Sequence, residues 1–524
     1  MVRAYRVPPS VAVIGGFLAL LSADVFASAG GAEVFAAALL GVAFAIFAGR
    51  MARSWTVLIS VLVLVVLLIP NNGSYTLPKA LPFQLEPYRL VVGLLLVGWL
   101  ISLLIDPRVR ARASGFEGPL LFIIGVTLAS DVANPGHVGT VTSYVIKALW
   151  LFLCFVLFYY LIVSVVHTRK VVERILTVLV SGGCIVALDA VLQRRNGYNL
   201  VDHLHSLLPL FTYNPEAAGA LEARGGNFRA FASAGGPIEL SAVMAMIVPF
   251  AIYLAVSRRQ RRWWVAVTLL LLGDFAGGSR TGIIGLLVAL GVFLWLRPRQ
   301  TVRCWPAVFP ILVILHFAAP GAIGGLVELF FPKGGIVQQQ SETFIGPGGK
   351  VEYGSRLSRI GPELHEYLQH NPLLGQGYGT RVTGFHDQAA DNAIILDDEW
   401  LDTILETGIL GVLAWMWLFG RAIRRLSIRA KLERDTDAGM LPVALVASVA
   451  MFAISMFFFD AFGFIQATFL AFTLLGLTAV TLRIPARVSS SSSSSSSSTA
   501  AESTRRSVPE RPKLSVARGP LAET

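Results

Sequence analysis

From Val11 onward the chain is a succession of apolar runs, many of them roughly 16 to 22 residues long, which is enough to cross the hydrocarbon of a bilayer as α-helices. Inside a bilayer every backbone N–H and C=O must be satisfied within the chain, so runs of this kind are confined to helices unless they close into a barrel. About fourteen spans can be placed, centred near Leu20, Leu40, Leu62, Leu96, Ile124, Leu153, Val180, Met244, Leu269, Leu287, Val313, Leu413, Met451 and Leu470. With 55% hydrophobic and only 14% charged residues, the chain is too apolar for a soluble domain of 524 residues. The expected fold is an all-α polytopic membrane protein of about 12 to 14 transmembrane helices; the lower figure applies if the weaker runs near Ile124 and Leu269 are re-entrant. The first run, Val11 to Ser28, follows Arg3 and Arg6 as a signal peptide would, but a second run, Ala32 to Ala48, follows almost at once, so both are read as retained helices.

Charge orients the helices. The formal net charge is +11, but the basic residues lie in short clusters between apolar runs rather than along one face, which excludes nucleic acid as the partner and reads instead as topology. Arg50 with Arg53, Arg108 through Arg112, Arg169 with Lys170, Arg258 through Arg262, Arg297 through Arg303 and Arg421 through Arg434 fall in alternate loops. These loops are cytoplasmic by the positive-inside rule, and both termini with them. Cys154, Cys184 and Cys304 lie in or beside apolar runs without paired spacing, so neither a disulfide framework nor a metal knuckle is indicated.

The chain then divides into N-terminal helices over 1–192, an external loop over 193–237, central helices over 238–319, a large external loop over 320–400, C-terminal helices over 401–482 and a disordered, Ser-rich cytoplasmic tail over 483–524. The external loops are longer than a connection requires. The largest carries a predicted amphipathic helix, Arg356 to Leu368, then HNPLLGQGYG, and leads through Asp397, Asp398 and Glu399 into the helix containing Trp415.

Arginines should be scarce on the outer side, yet Arg224, Arg229, Arg280, Arg356, Arg359 and Arg381 all fall there. Guanidinium forks match phosphate oxygens bidentately and stay charged, so the set points to an anionic phosphate or diphosphate ligand. Arg280, between two apolar runs in GGSRTG, is costly without a counter-ion; it either meets a ligand or pairs internally with Asp274. Arg359 and Arg381 read as solvated surface charges, and Arg224 is open between the two. The glycines of PLLGQGYG follow no predicted strand and precede no Lys-Ser or Lys-Thr pair, which excludes a nucleotide loop; they let the chain turn after Pro372 and approach the bilayer or a ligand closely.

The stretch from Arg356 through HNPLLGQGYG to DDEWLDTILETGILG resembles the signature region of the O-antigen ligase and polymerase superfamily. LEPYRLVVGLLL from Leu85, FRAFASAGGPIELSAVMAM from Phe228 and GSRTG from Gly278 resemble further motifs of the family, in the same order. The resemblance implies a metal-independent glycosyltransferase of the broad membrane class, without a cofactor. Such an enzyme takes a glycan from an undecaprenyl-diphosphate donor at the outer face of the bacterial cytoplasmic membrane. It passes the glycan to an acceptor glycan or glycolipid in surface polysaccharide assembly. Carried over by motif, Arg229, Arg280 and Arg356 hold the diphosphate, with Arg224 as a further candidate, and Arg280 and Arg356 act in catalysis. Where the family pattern has His-Asn, this chain has Asp397 and Asp398, so one of these carboxylates is the candidate general base; the alternative is that they start a helix as N-terminal acids. His365, His370 and His386 are other candidates for an imidazole. Two rival readings stand: a secondary transporter of an anionic solute, with Asp189, Asp274 and Asp460 as its ion path, and a non-catalytic partner of an export complex.

Overall fold

The computed structural model describes residues 55–77, 86–106, 109–206, 208, 211–215, 223–224, 227–303, 313, 342–345, 351–354, 371–381, 398–434 and 436–486. The two apolar runs before Arg50, most of the run around Val313, the predicted helix Arg356 to Leu368 and the Ser-rich tail lie outside the described residues, as do Arg356, Arg359, Asp397, His365, His370 and His386.

The described chain is helical: α1 (Trp55–Leu68), α2 (Pro87–Ile105), α3 (Glu117–Ala133), α4 (Pro135–Thr140), α5 (Thr142–Val165), α6 (Arg169–Asn196), α7 (Pro237–Arg258), α8 (Arg261–Gly277), α9 (Arg280–Leu296), α10 (Pro298–Arg303), α11 (Glu399–Leu432), α12 (Met440–Ser455) and α13 (Ile465–Arg483). Seven of these are long and apolar enough to cross a membrane, with α1 and α9 as shorter apolar helices. The weaker runs near Ile124 and Leu269 form α3 and α8, each a continuous helix of 17 residues, about 25 Å long at 1.5 Å per residue. Strand is limited, among the described residues, to three antiparallel two-stranded ribbons.

α7, α12 and α13 form the centre, with 83%, 83% and 89% of their spans buried, against 33% in α2. Their sequences explain it: Ala, Ser and Gly recur through SAVMAM, VALVASVAM and TLLGLTAV, letting backbones approach where apolar surface alone gives no preference for protein over lipid. Ser448 on α12 donates to the Met246 carbonyl of α7 at 2.7 Å. α8 packs into the same centre against α6 and α7.

Described residues of the basic clusters meet at one end of the bundle. Arg421 and Arg425 of α11 donate to the Gly115 carbonyl before α3. Arg297 donates to the carbonyls of Arg434, Ala430 and Glu433 at the end of α11. Arg169 reaches Tyr253 and the Ala438 carbonyl, and Arg483 reaches Val163 and Val166. Arginine here therefore serves a second purpose beyond topology, satisfying carbonyls that helix ends leave open. The opposite end, hereafter the loop end, carries the connections that build the candidate site.

Candidate functional site

The site begins with FRAFASAGGPIE, which enters the bundle as irregular chain. Ala230, Ala232, Ser233 and Ala234 are buried, and irregular backbone at that depth persists only where protein groups replace water. Gln193 of α6 accepts from the Phe231 and Ala232 N–H groups, both at 2.8 Å. Glu239 accepts from Gly235 N at 2.7 Å and from Ala467 N at 3.1 Å. Gln466 of α13 donates to the carbonyls of Ser233 and Leu67. The segment is thereby fixed to α1, α6, α7 and α13 together.

That anchoring sets Arg229 against the turn between α8 and α9. Ala230 N donates to the Ala276 carbonyl at 3.1 Å, and Arg229 Nε to the Gly277 carbonyl at 3.4 Å. α8 closes on Gly278 in the left-handed conformation, Ser279 caps α9 by accepting from Thr281 N, and Arg280 is the first residue of α9. Asp274 lies one turn before the end of α8. It is 1% exposed, and neither of its carboxylate oxygens has a hydrogen-bond partner, so the Arg280–Asp274 pair allowed by the sequence does not form. A methyl group at Gly282 would lie 1.9 Å from Asp274 Oδ1, which accounts for the second glycine of GSRTG. Arg224 is in a short ribbon that leads to this segment, with Arg224 paired to Asn227.

The second half of the site is the start of α11. Asp398 is the N-cap, its Oδ1 accepting from Trp400 N and Leu401 N at 3.1 Å. Burial holds its carboxyl above the usual aspartate range, against the pull of those two N–H groups. Asp398, Asp402 and Glu406 follow at four-residue spacing and share one helix face. Arg381 meets them: its Nε is 3.1 Å from Asp402 Oδ1, with the two side chains only 10% and 14% exposed, and its backbone N donates to Glu406 at 3.4 Å. The expectation that Arg381 is a solvated surface charge is thus overturned, because PLLGQGYG carries it into the protein.

The reason is a break in α11. Gly408 has φ 69° and ψ −169°, so two consecutive helical hydrogen bonds are lost and replaced by bonds to the glycine-rich loop. Ile409 N and Leu410 N donate to the carbonyls of Pro372 and Leu373 at 3.0 and 3.3 Å, while the carbonyls of Leu405 and Glu406 accept from Gln376 N and Gly377 N at 2.9 and 3.0 Å. The break is exchanged bond for bond. A methyl group at Gly375 would sit 2.6 Å from the Glu406 carbonyl. Gly375 and Gly377 thus approach the backbone of α11. Asn134, His137 and Asp131 fasten the other side of the loop to α3 and α4, and Ser130 of α3 donates to the Glu406 carbonyl of α11.

The halves are joined by the connection between α12 and α13. Glu399 N donates to the Met456 carbonyl and Glu399 Oε2 accepts from Phe462 N, both at 2.8 Å. Phe464, two residues on, packs against Gly235. Asp460 in this connection accepts from Gly463 N, and Asp189 of α6 from Leu200 N. Both serve loop backbone at the loop end, so with Asp274 they do not trace a path across the bundle.

Residues 265–416 match the sequence model of the O-antigen ligase family. This stretch belongs to the O-antigen ligase and polymerase superfamily. It contains Arg280, the glycine-rich loop and the first half of α11, while Arg229 and its buried segment lie just before it. No curated protein matches the chain. The superfamily assignment supports an O-antigen ligase- or polymerase-like, glycosyl-transferring function in a multi-pass membrane protein. Among the described residues, no group of three or more His, Cys, Asp or Glu side chains is arranged to hold a metal ion.

Sequence reasoning passed over Asp402 and Glu406, although their spacing from Asp398 was visible.

Proposed function

We propose that the protein is a metal-independent glycosyltransferase acting at the outer face of the cytoplasmic membrane. It transfers a glycan from an undecaprenyl-diphosphate donor to the hydroxyl of an acceptor glycan or glycolipid. The observation that carries this reading is the convergence of Arg229 and Arg280, from separate elements, on the α8–α9 turn within and beside the family-matched stretch. In the reaction the acceptor oxygen bonds to the anomeric carbon, the bond from that carbon to the diphosphate oxygen breaks, and the electron pair leaves with the diphosphate. Arg229, Arg280 and Arg356 offset the charge that grows there, with Arg224 at the margin of the same site. The acceptor proton goes to Asp397 or Asp398; the raised proton affinity of Asp398 suits a general base. The large loop over 320–400 is the catalytic loop in this scheme.

The test is transfer by the purified protein reconstituted with an undecaprenyl-diphosphate oligosaccharide, without metal, nucleotide or other protein. Lengthening of the donor glycan identifies a polymerase and transfer to added acceptor a ligase. Removing one such donor from a transition state typically costs about 10²- to 10³-fold in rate, so Arg280→Ala is expected to fall by that order. Arg280→Lys should remain at least about tenfold slow, because lysine has no paired fork. Release of undecaprenyl diphosphate at the wild-type rate in both variants, or none from the wild type, would sink the proposal.

A further inference from the structure

Beyond the end of α6 the chain builds a small outcrop at the loop end. α6 closes on Gly197 in the left-handed conformation. Buried Asn199 holds the next turn: its Oδ1 accepts from Val201 N and its carbonyl from His203 Nδ1, both at 3.1 Å. The 3₁₀ helix that follows, Leu200–Ser206, is tied from outside as well. Asp189 of α6 accepts from Leu200 N, Tyr75 Oη donates to the Val201 carbonyl and Tyr213 Oη donates to Asp202 Oδ1, with Tyr75 and Tyr213 paired in a ribbon. On this fixed backbone the Tyr198 and His203 rings stack, their centroids 4.8 Å apart and their planes 25° from parallel. Both residues are exposed, Tyr198 by 44%.

The exposed rings of Trp150 and Trp417 lie in apolar stripes, as a lipid-facing surface demands: Trp150 with Ile146 and Leu153 on α5, Trp417 with Leu413 and Met416 on α11. Tyr198 and His203 differ, because exposed Arg195, Asn196 and His205 share their outcrop. An aromatic surface among polar side chains marks a ligand site rather than a lipid-facing one. It suits a sugar, which offers C–H bonds on the faces of its ring and hydroxyls at its edge. The first meet the negative face of an aromatic ring and the second meet polar side chains. The outcrop also adjoins the candidate site. Arg194, four residues before Tyr198, donates to the carbonyls of Phe228, which precedes Arg229, and of Ala276 at the end of α8, both at 3.3 Å.

We propose that Tyr198 and His203 form a sugar subsite, which receives a pyranose of the lipid-linked glycan while its diphosphate lies at the α8–α9 turn; this rests on the function proposed above and names where that substrate's sugar is held. The two rings supply the stacking surface, and Arg195, Asn196 and His205 are the polar side chains at hand for the hydroxyls.

The test is equilibrium binding to the full chain in zwitterionic lipid nanodiscs, read beside KM and kcat for glycan transfer. The probes are undecaprenyl diphosphate bearing galactose, bearing N-acetylglucosamine and bearing no sugar. The wild type should bind at least one sugar-bearing lipid more tightly than the bare one. Tyr198→Ala should weaken that lipid by about three- to tenfold and leave the bare lipid unchanged, raising KM more than it lowers kcat. Tyr198→Phe keeps the ring and should retain most of the affinity, which separates stacking from a defect of folding. His203→Ala should show the same selective loss, smaller in size. Equal loss for bare and sugar-bearing lipid, wild-type affinity throughout in Tyr198→Ala, or a wild type that does not distinguish the sugar-bearing lipids from the bare one overturns the inference. Glycan transfer at the wild-type KM in Tyr198→Ala sinks it too, and leaves the proposed function standing. A wild type that binds none of the lipids and transfers no glycan overturns that function, and this inference with it.

Discussion

The two halves of the site handle charge in opposite ways. At the α8–α9 turn Arg194 and Arg229 donate to main-chain carbonyls, and Asp274, in the last turn of α8, takes no part in hydrogen bonding. At the start of α11 acids gather on one face, and Arg381 is held between Asp402 and Glu406. In the first half guanidinium groups meet main-chain carbonyls, whereas in the second Arg381 meets a carboxylate. Their backbones differ in the same sense. The buried segment before α7 is irregular chain kept in place by side chains, Gln193, Glu239 and Gln466. The break in α11 is kept in place by backbone, through the exchange with Pro372–Gly377. In the proposed reaction the first half would serve the leaving diphosphate and the second the incoming hydroxyl.

Substitutions at Gly408, at the Arg381–Asp402 pair and at Asp398 break or sharpen this contrast. The largest effect is expected from Gly408→Ala. Its φ of 69° disfavours any side chain, and the added methyl would lie 2.3 Å from the Leu373 carbonyl, so the loop must undock, at a cost of about 4 kcal/mol or more. Thermal unfolding should shift down by several degrees and transfer should be lost. Diphosphate binding should persist in the protein that remains folded, because the α8–α9 turn does not depend on the break. Loss of both together would show that the halves are a single unit.

Arg381→Ala leaves Asp402 buried without its partner and should cost about 3 kcal/mol. Arg381→Ala combined with Asp402→Asn should recover much of that loss in thermal stability, since the stranded charge is gone. A double variant no more stable than the single would mean that Arg381 acts through something other than this pair. A double variant restored in stability but inactive would make the pair part of the chemistry.

The smallest effect concerns Asp398. Its folded carboxyl binds a proton more tightly than the free side chain, so its contribution to stability is fully present below the ordinary aspartate value of about 4 and is lost as pH rises through the raised folded value. Asn keeps the capping acceptor without titrating. Unfolding temperature measured across that window should therefore fall with pH more in the wild type than in Asp398→Asn. Parallel curves for the two proteins would remove Asp398 as a perturbed carboxyl and weaken its assignment as general base.

Much of the architecture was legible in the chain. Runs centred near Leu62, Leu96, Ile124, Leu153, Val180, Met244, Leu269, Leu287, Leu413, Met451 and Leu470 each fall within a helix, because a bilayer span must be apolar and helical whatever its neighbours are. Arg297, Arg421, Arg425 and Arg434, from two of the basic clusters, likewise gather at one end. At the candidate site, chemistry and motif single out Arg229 and Arg280 in the sequence, and the structure sets Arg229 on the Gly277 carbonyl and Arg280 at the start of α9. Arg381 was misjudged because nothing in PLLGQGYG specifies what the loop docks against.

By itself, then, the sequence determined that the chain forms membrane helices, where most of them lie and which loops share an end, since these follow from the transfer of backbone and charge between water and lipid. It also set the order of the motifs that mark the superfamily. Tertiary structure decided what those motifs do. That Gly408 breaks a helix, that Gly375 and Gly377 mend it, that Arg381 is paired and that Arg194 reaches the Ala276 carbonyl all depend on contacts between residues far apart in the chain. Such contacts are set by packing and by the demand that every buried polar group find a partner, and a single sequence does not display which partner that will be.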